Sequence, residues 1–193
     1  MKTLYEKYKK IKIDGTWIGL AFEDNDQYFC TPIGAKIIGW DNGIHYCFIE
    51  GFGDMVFCVN PESCCDYYVY PVAKNFYDFL SLILATQNTN SMQQVILWDK
   101  QTFKSFMNDP ENIEYVAKKE VTDALNTIRM ELGVMPMEKP FEYIKELQRD
   151  FPYEHICFSN EYYDTLGLER PDGTAADENG FEFDAVKFRF EKN

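Results

Sequence analysis

The sequence predicts an α+β fold, in which an N-terminal antiparallel meander mainly over residues 8–60 packs against C-terminal helices mainly over 75–150. Three observations predict it. Turn signals separate short apolar runs in the first part, apolar residues recur at helical spacing after Pro71, and residues 181–190 alternate apolar and polar. We therefore expect the 193 residues to form a single α+β domain with a closing C-terminal strand.

The first strands are predicted from short apolar runs bounded by polar turns. Asp14-Gly15 separates a run over 8–13 from one over 16–22, which is a hairpin signal. A polar turn over 23–26 then precedes a third run over 27–31. These runs predict strands at the beginning of the meander.

The next strands follow a second tight turn. Asp41-Asn42-Gly43 separates a run over 36–40 from one over 44–49, and the glycine-containing segment 51–54 leads into a strand over 55–59. Turn signals thus recur at the spacing that an antiparallel meander requires.

After Pro71 the apolar period changes from two residues to that of a helix. The apolar positions are i, i+3, i+4, i+7 and i+8, and they are occupied by Phe76, Phe79, Leu80, Ile83 and Leu84. Asn75 is a suitable N-cap for this helix, and Asp99 is a suitable cap for a second helix that ends before Pro110.

Two further helices and an acidic tail complete the prediction. A long helix over 113–132 ends at Gly133, and a shorter one follows Pro140. Residues 161–184 carry eight carboxylates against the single Arg170. We expect an acidic tail and a final strand over 160–193, with a bulge near Ala185-Val186 where the apolar alternation slips by one.

The charge of the chain excludes several classes of function. The formal net charge is −13, of which residues 101–193 hold −9. Such a field repels nucleic acid and anionic membranes and attracts basic proteins. No apolar run is long enough to cross a bilayer, and the basic segment 1–10 lacks the apolar core of a signal peptide. A cytoplasmic protein that binds neither nucleic acid nor membrane is expected.

Two His-x-Cys pairs are the residues best suited to chemistry. His45 and Cys47 lie on a predicted strand and face the same side, and His155 and Cys157 repeat the spacing. If the pairs met in space they would make a four-ligand zinc site, or a small metal-dependent or thiol enzyme. Packing in an aromatic strand explains the first pair more simply. We therefore predict no catalytic residue, no metal and no cofactor.

One segment resembles a known family. Gly51-Phe52-Gly53-Asp54 leads into the strand 55–59, and the segment Val72-Ala73-Lys74-Asn75-Phe76-Tyr77-Asp78-Phe79-Leu80 starts a helix. Over about residues 44–84 the chain resembles the SMI1/KNR4 (SUKH) superfamily. The resemblance implies a non-enzymatic α+β protein, and many bacterial relatives look like immunity proteins that neutralise toxins by binding them. Those that bind basic nucleases tend to be acidic.

The expected interface combines tyrosines with nearby carboxylates. Tyrosines are frequent anchors of protein interfaces, and acids steer a basic partner. The candidate binding residues are Asp66, Tyr67, Tyr68, Glu161, Tyr162, Tyr163 and Asp164. The leading hypothesis is a protein-binding module that neutralises a basic toxin. The sequence leaves two alternatives open: a small metal-dependent or thiol enzyme that uses the two His-x-Cys pairs, and a structural or regulatory scaffold without a toxin partner.

Overall fold

Four antiparallel strands in chain order form the sheet, and the predicted α+β fold is confirmed. The computed structural model describes residues 3–22, 27–63 and 65–171. The strands are β1 (Ala35–Asp41), β2 (Ile44–Ile49), β3 (Val56–Val59) and β4 (Val69–Ala73). The helices of this part of the chain are α1 (Leu4–Tyr8), α2 (Phe76–Thr86), α3 (Asn90–Gln94), α4 (Lys100–Met107), α5 (Pro110–Val116), α6 (Lys119–Leu132), α7 (Pro140–Arg149) and α8 (Asn160–Leu166). Short 3-10 helices cover Gly15–Ile18 and Tyr153–His155.

The turn between β1 and β2 has the geometry that its sequence predicts. Asn42 and Gly43 both adopt positive φ, 48° and 90°, and Asp41 pairs directly with Ile44 across the hairpin. Two central residues with positive φ match the right-handed twist of the flanking strands, which is why Asn-Gly is favoured there.

The strands predicted over 8–13, 16–22 and 27–31 are wrong. Residues 4–8 form α1, capped by the Thr3 hydroxyl, which accepts from Glu6 N at 3.2 Å. Asp14-Gly15 starts a 3-10 helix instead of a hairpin, because the Asp14 carboxylate accepts from Thr16 N. Local side-chain caps thus outcompete strand pairing, and among the described residues before β1 only Ala21 forms an isolated bridge, to Trp40.

The sequence did not predict strand β4. Its residues were interpreted as a short connection that leads into the first long helix. Strand β4 forms an edge of the sheet and contains Pro71, which edge strands tolerate. Side chains of α7 cover this edge. Gln148 Nε2 donates to Pro71 O at 3.2 Å, and Tyr143 Oη accepts from Lys74 N at 2.8 Å.

The predicted helices are present, but one of them is divided into two helices. Asn75 caps α2 by accepting from Asp78 N at 2.9 Å, and Asp99 caps α4. The helix expected over 113–132 is two helices, α5 and α6, because the chain breaks at Ala117-Lys118. Gly133 ends α6 with φ 67°, as predicted.

Only part of the prediction for the C-terminal segment falls on residues that the structure describes. Helix α8 lies where an acidic tail was expected. The proposed closing strand with its bulge, and Cys64, lie outside the described residues.

The sheet is covered on both faces, and the two coverings differ. Because neighbouring side chains of a strand point to opposite faces, Tyr46, Cys58 and Tyr70 contact the helices, whereas Cys47, Phe57 and Val59 face the other way. We call these the helix-covered face and the loop-covered face. On the latter, the main covering residues come from connecting segments, around Phe29–Cys30 and 151–158, and from α8.

Candidate functional site

A groove lies above the loop-covered face, between the β3–β4 connection and the segment 153–163. Backbone hydrogen bonds fix its two sides: Asn60 N donates to Tyr68 O at 2.8 Å, and Ile33 N donates to Cys157 O at 2.9 Å. The groove has a volume of about 400 Å³. We call it the tyrosine groove, and it is lined by Asp66, Tyr67, Tyr68, Val69, Tyr153, Glu154, Ile156, Phe158, Tyr162 and Tyr163.

Aromatic pairs hold the walls of the tyrosine groove in place. Tyr67 stacks on Tyr153 with ring centroids 3.9 Å apart, and Phe158 stacks on Tyr162 at 4.0 Å. Tyr163 meets the Tyr162 ring edge-on at 5.3 Å. Each ring therefore restricts its neighbour, and little side-chain freedom remains to be lost when a partner binds.

The groove is acidic at its rim and uncharged in its walls. Asp66 and Glu154 are exposed, and no lysine or arginine is among the lining residues. Burial raises the pKa values of Tyr153 and Tyr162 above the usual value. Both phenols are therefore neutral at pH 7 and can donate and accept hydrogen bonds.

Five of the seven predicted binding residues line this one groove: Asp66, Tyr67, Tyr68, Tyr162 and Tyr163. The other two, Glu161 and Asp164, are exposed on α8 but do not line it. Asp164 instead pairs with Arg170, with Nε–Oδ1 at 2.9 Å and Nη2–Oδ2 at 2.8 Å. Its carboxylate is thus held by an intramolecular pair.

Five groove residues were missed by the sequence reasoning: Val69, Tyr153, Glu154, Ile156 and Phe158. The signal available was the aromatic recurrence at 151, 153 and 158 beside the tyrosines of 162–163. It has neither strand nor helix period, because the segment runs through a 3-10 turn and irregular backbone before α8 begins.

The two His-x-Cys pairs do not form a common site. His45 and Cys47 are fully buried in β2, whereas His155 and Cys157 are exposed. Within residues 3–22, 27–63 and 65–171, no three His, Cys, Asp or Glu side chains are grouped in a way that could hold a metal ion. The zinc site that their meeting would have made is therefore not formed by these four residues.

The buried pair is also poorly suited to nucleophilic chemistry. Burial lowers the pKa of His45 to about 4 and raises that of the Cys47 thiol. The histidine lies between aromatic rings, with centroids 4.5 Å from Trp40 and 5.9 Å from Tyr28. A neutral thiol in a closed core is inert, so the packing interpretation of this pair fits the geometry.

Comparisons with known proteins give no match: no family model, no curated protein and no solved structure is similar to the chain. The likeness of residues 44–84 to the SMI1/KNR4 (SUKH) superfamily therefore stays a prediction. Among the helices of the described segments, none combines the length and the apolar character needed to span a bilayer.

Proposed function

We propose that this protein is a non-enzymatic, cytoplasmic protein-binding module that holds a basic partner in the tyrosine groove. The specific form we favour is an immunity protein that neutralises a basic toxin, which is what the SMI1/KNR4 resemblance implies. The observation that carries the proposal is the convergence of Tyr67, Tyr68, Tyr162 and Tyr163 in one acidic groove.

The chemistry of the groove fits a protein partner. Tyrosines are enriched among the residues that dominate binding energy, because they bury a large rigid surface and keep a polar end. Tyr67 is 42% exposed, so it can add further buried area on association. The stacked pairs supply the ordered surface that such anchors need.

The charge of the molecule supports the choice of a basic partner. Asp66 and Glu154 lie at the groove, and the whole chain carries −13. Opposite charge on the partner accelerates encounter and suppresses association with acidic or nucleic-acid competitors. The same charge disfavours nucleic acid as the partner.

The first experiment tests the groove with a matched pair of tyrosines. The partner to assay is the basic protein encoded beside this gene, purified in an inactive form and titrated calorimetrically. Tyr67→Ala is expected to weaken binding by about tenfold or more, the usual scale for an interface anchor. Tyr77→Ala is the control, because Tyr77 is 43% exposed but lies on α2, outside the groove.

A second experiment separates charge steering from contact energy. Asp66→Asn with Glu154→Gln should lower the association rate and flatten its salt dependence, with a small effect on dissociation. Glu120→Gln with Glu131→Gln on α6 is the control with equal charge change. The proposal fails if no neighbouring gene encodes a basic toxin and no partner binds, or if both tyrosine variants bind alike.

A further inference from the structure

The two carboxylates of the tyrosine groove have no cationic partner in the described chain. Asp66 and Glu154 are exposed, and within residues 3–22, 27–63 and 65–171 neither forms an ion pair. Asp164, which lies just outside the groove, differs because Arg170 pairs with it at 2.8 Å. The carboxylates of Asp66 and Glu154 are therefore available to a cation that a partner brings.

The groove also offers an uncovered aromatic face. Tyr67 has one face against Tyr153, with ring centroids 3.9 Å apart and an interplanar angle of 18°. Its side chain is 42% exposed, so the other face of the ring is open. The face of an aromatic ring carries negative charge density and attracts cations. An open ring face and two unpaired carboxylates thus lie in the same groove.

Elsewhere in the molecule, lysines of the chain itself lie over tyrosine rings. Lys9 Nζ is 5.0 Å from the centroid of Tyr5, and Lys118 Nζ is 4.8 Å from that of Tyr115. Within the described ranges, no lysine lies over a ring of the tyrosine groove. The groove therefore presents the rings and charges that suit a cation, without a lysine of the described chain in that position.

The lining selects one kind of side chain. An anionic side chain is repelled by Asp66 and Glu154, and an aliphatic one would cover these carboxylates without pairing them. An ammonium group is compact and strongly hydrated, so it must lose bound water to lie over a ring. A guanidinium group is more weakly hydrated, stacks flat on a ring and donates from its edge to carboxylates. Arginine therefore satisfies the ring and the carboxylates together.

We propose that the tyrosine groove recognises an arginine side chain of the basic protein partner, an inference that rests on the function proposed above. The guanidinium stacks on the open face of Tyr67 and donates to the carboxylates at the rim, Asp66 and Glu154. The volume of about 400 Å³ has room for one long side chain. Arginine and tyrosine are both enriched among the residues that dominate interface energies, and such residues tend to pair across an interface.

The test is an NMR titration of the ¹⁵N-labelled full chain with single amino acids whose backbone charges are removed. The probes are the N-acetyl methylamides of arginine, citrulline, lysine and leucine, and citrulline matches arginine in length and shape but is uncharged. The arginine probe should shift the backbone signals of Asp66 and Tyr67 with saturation. Citrulline and leucine should bind at least about fivefold more weakly, and lysine at least about twofold. No saturable shift with arginine, or equal or tighter binding of another probe, would overturn the assignment.

Variants of Tyr67 test the stacking contact. Tyr67→Leu keeps an apolar side chain but removes the ring, and it should weaken arginine binding at least about fivefold. Tyr67→Phe keeps the ring and should bind arginine within about twofold of the parent. Tyr77→Leu is the control for loss of an exposed tyrosine outside the groove, and its affinity should not change. Unchanged arginine affinity in a folded Tyr67→Leu protein contradicts the stacking contact.

Variants of the carboxylates test the charge-assisted hydrogen bonds. Asp66→Asn with Glu154→Gln should weaken arginine binding at least about fivefold and leave citrulline binding unchanged. Glu120→Gln with Glu131→Gln changes the net charge equally at exposed positions of α6, so it should bind arginine within about twofold of the parent. Equal losses in the two double variants would mean that only net charge matters, and the assignment to the groove would be wrong.

The two proposals fail separately, because the probes require no partner. If the basic protein binds and Tyr67→Ala weakens that binding, but the arginine probe does not bind, the arginine assignment is overturned and the protein-binding function stands. If the arginine probe binds at the groove but no basic protein does, the arginine preference is supported and the protein-binding function fails.

Discussion

The two faces of the sheet are buried by different means, and the face with the smaller core carries the groove in which we propose that a partner binds. The helix-covered face belongs to a large continuous core that also contains buried residues of α1, α2 and α6. The loop-covered face packs mainly against irregular segments and α8, and its core is smaller. The tyrosine groove lies on this second side, where aromatic rings that are only half-buried remain available to a partner.

The largest effect on stability is expected when one buried apolar residue of each face is replaced by alanine. Phe79 of α2 is fully buried in the helix-covered core, and Phe79→Ala should lower the free energy of unfolding by about 4 kcal/mol. Ile156→Ala, at 6% exposure over the other face, should cost about 2 kcal/mol because the connecting segment can partly close the gap. Urea denaturation measures both, and equal costs would contradict the comparison.

The next prediction concerns the pH dependence of the loop-covered face. Burial lowers the pKa of His45 from 6.5 to about 4, so the unfolded chain takes up this proton first as the pH falls. Stability is therefore complete above about pH 6.5 and declines to about pH 4, by about 3 kcal/mol from this residue.

The variant His45→Phe isolates that contribution. It places an uncharged ring between Trp40 and Tyr28, so the stability lost between pH 6.5 and 4 should become smaller by about 3 kcal/mol and the slope correspondingly flatter. Denaturation midpoints across this range provide the measurement. An identical slope in the two proteins would show that His45 does not control it.

A smaller effect is expected where α7 covers the β4 edge. Tyr143 Oη accepts from Lys74 N at 2.8 Å and donates to Asp78 Oδ2 at 2.6 Å. Tyr143→Phe removes both bonds and should cost about 1–2 kcal/mol. Thermal unfolding checks this against Tyr77→Phe, whose exposed hydroxyl should matter by less than about 0.5 kcal/mol.

The smallest effect on stability is expected in the groove itself. Tyr67→Ala loses the stack on Tyr153 and should cost about 0.5–1 kcal/mol, because the ring is exposed on its other side. Urea denaturation measures this loss beside the binding titration of the same variant. A loss above about 2 kcal/mol would mean that Tyr67 is primarily a structural residue.

The success of sequence prediction varied with the range of the interactions involved. The Asn42-Gly43 turn, the caps Asn75 and Asp99, and the end at Gly133 follow from local backbone preferences, and the structure confirms them. The strand predictions before residue 32 were wrong, because apolar runs of that length fit a short helix as well as a strand.

Chain composition and spacing by themselves determined the α+β class, the main helices and the acidic tyrosine surface, because these depend on local period, capping and charge. Only the tertiary structure decided which distant residues meet. It brought Tyr67 to Tyr153 and Asp41 to Gln93, and it kept His45 away from a metal cluster with His155. Such contacts arise from how connecting segments cover the two faces of the sheet, and an irregular segment carries no period from which its path can be read.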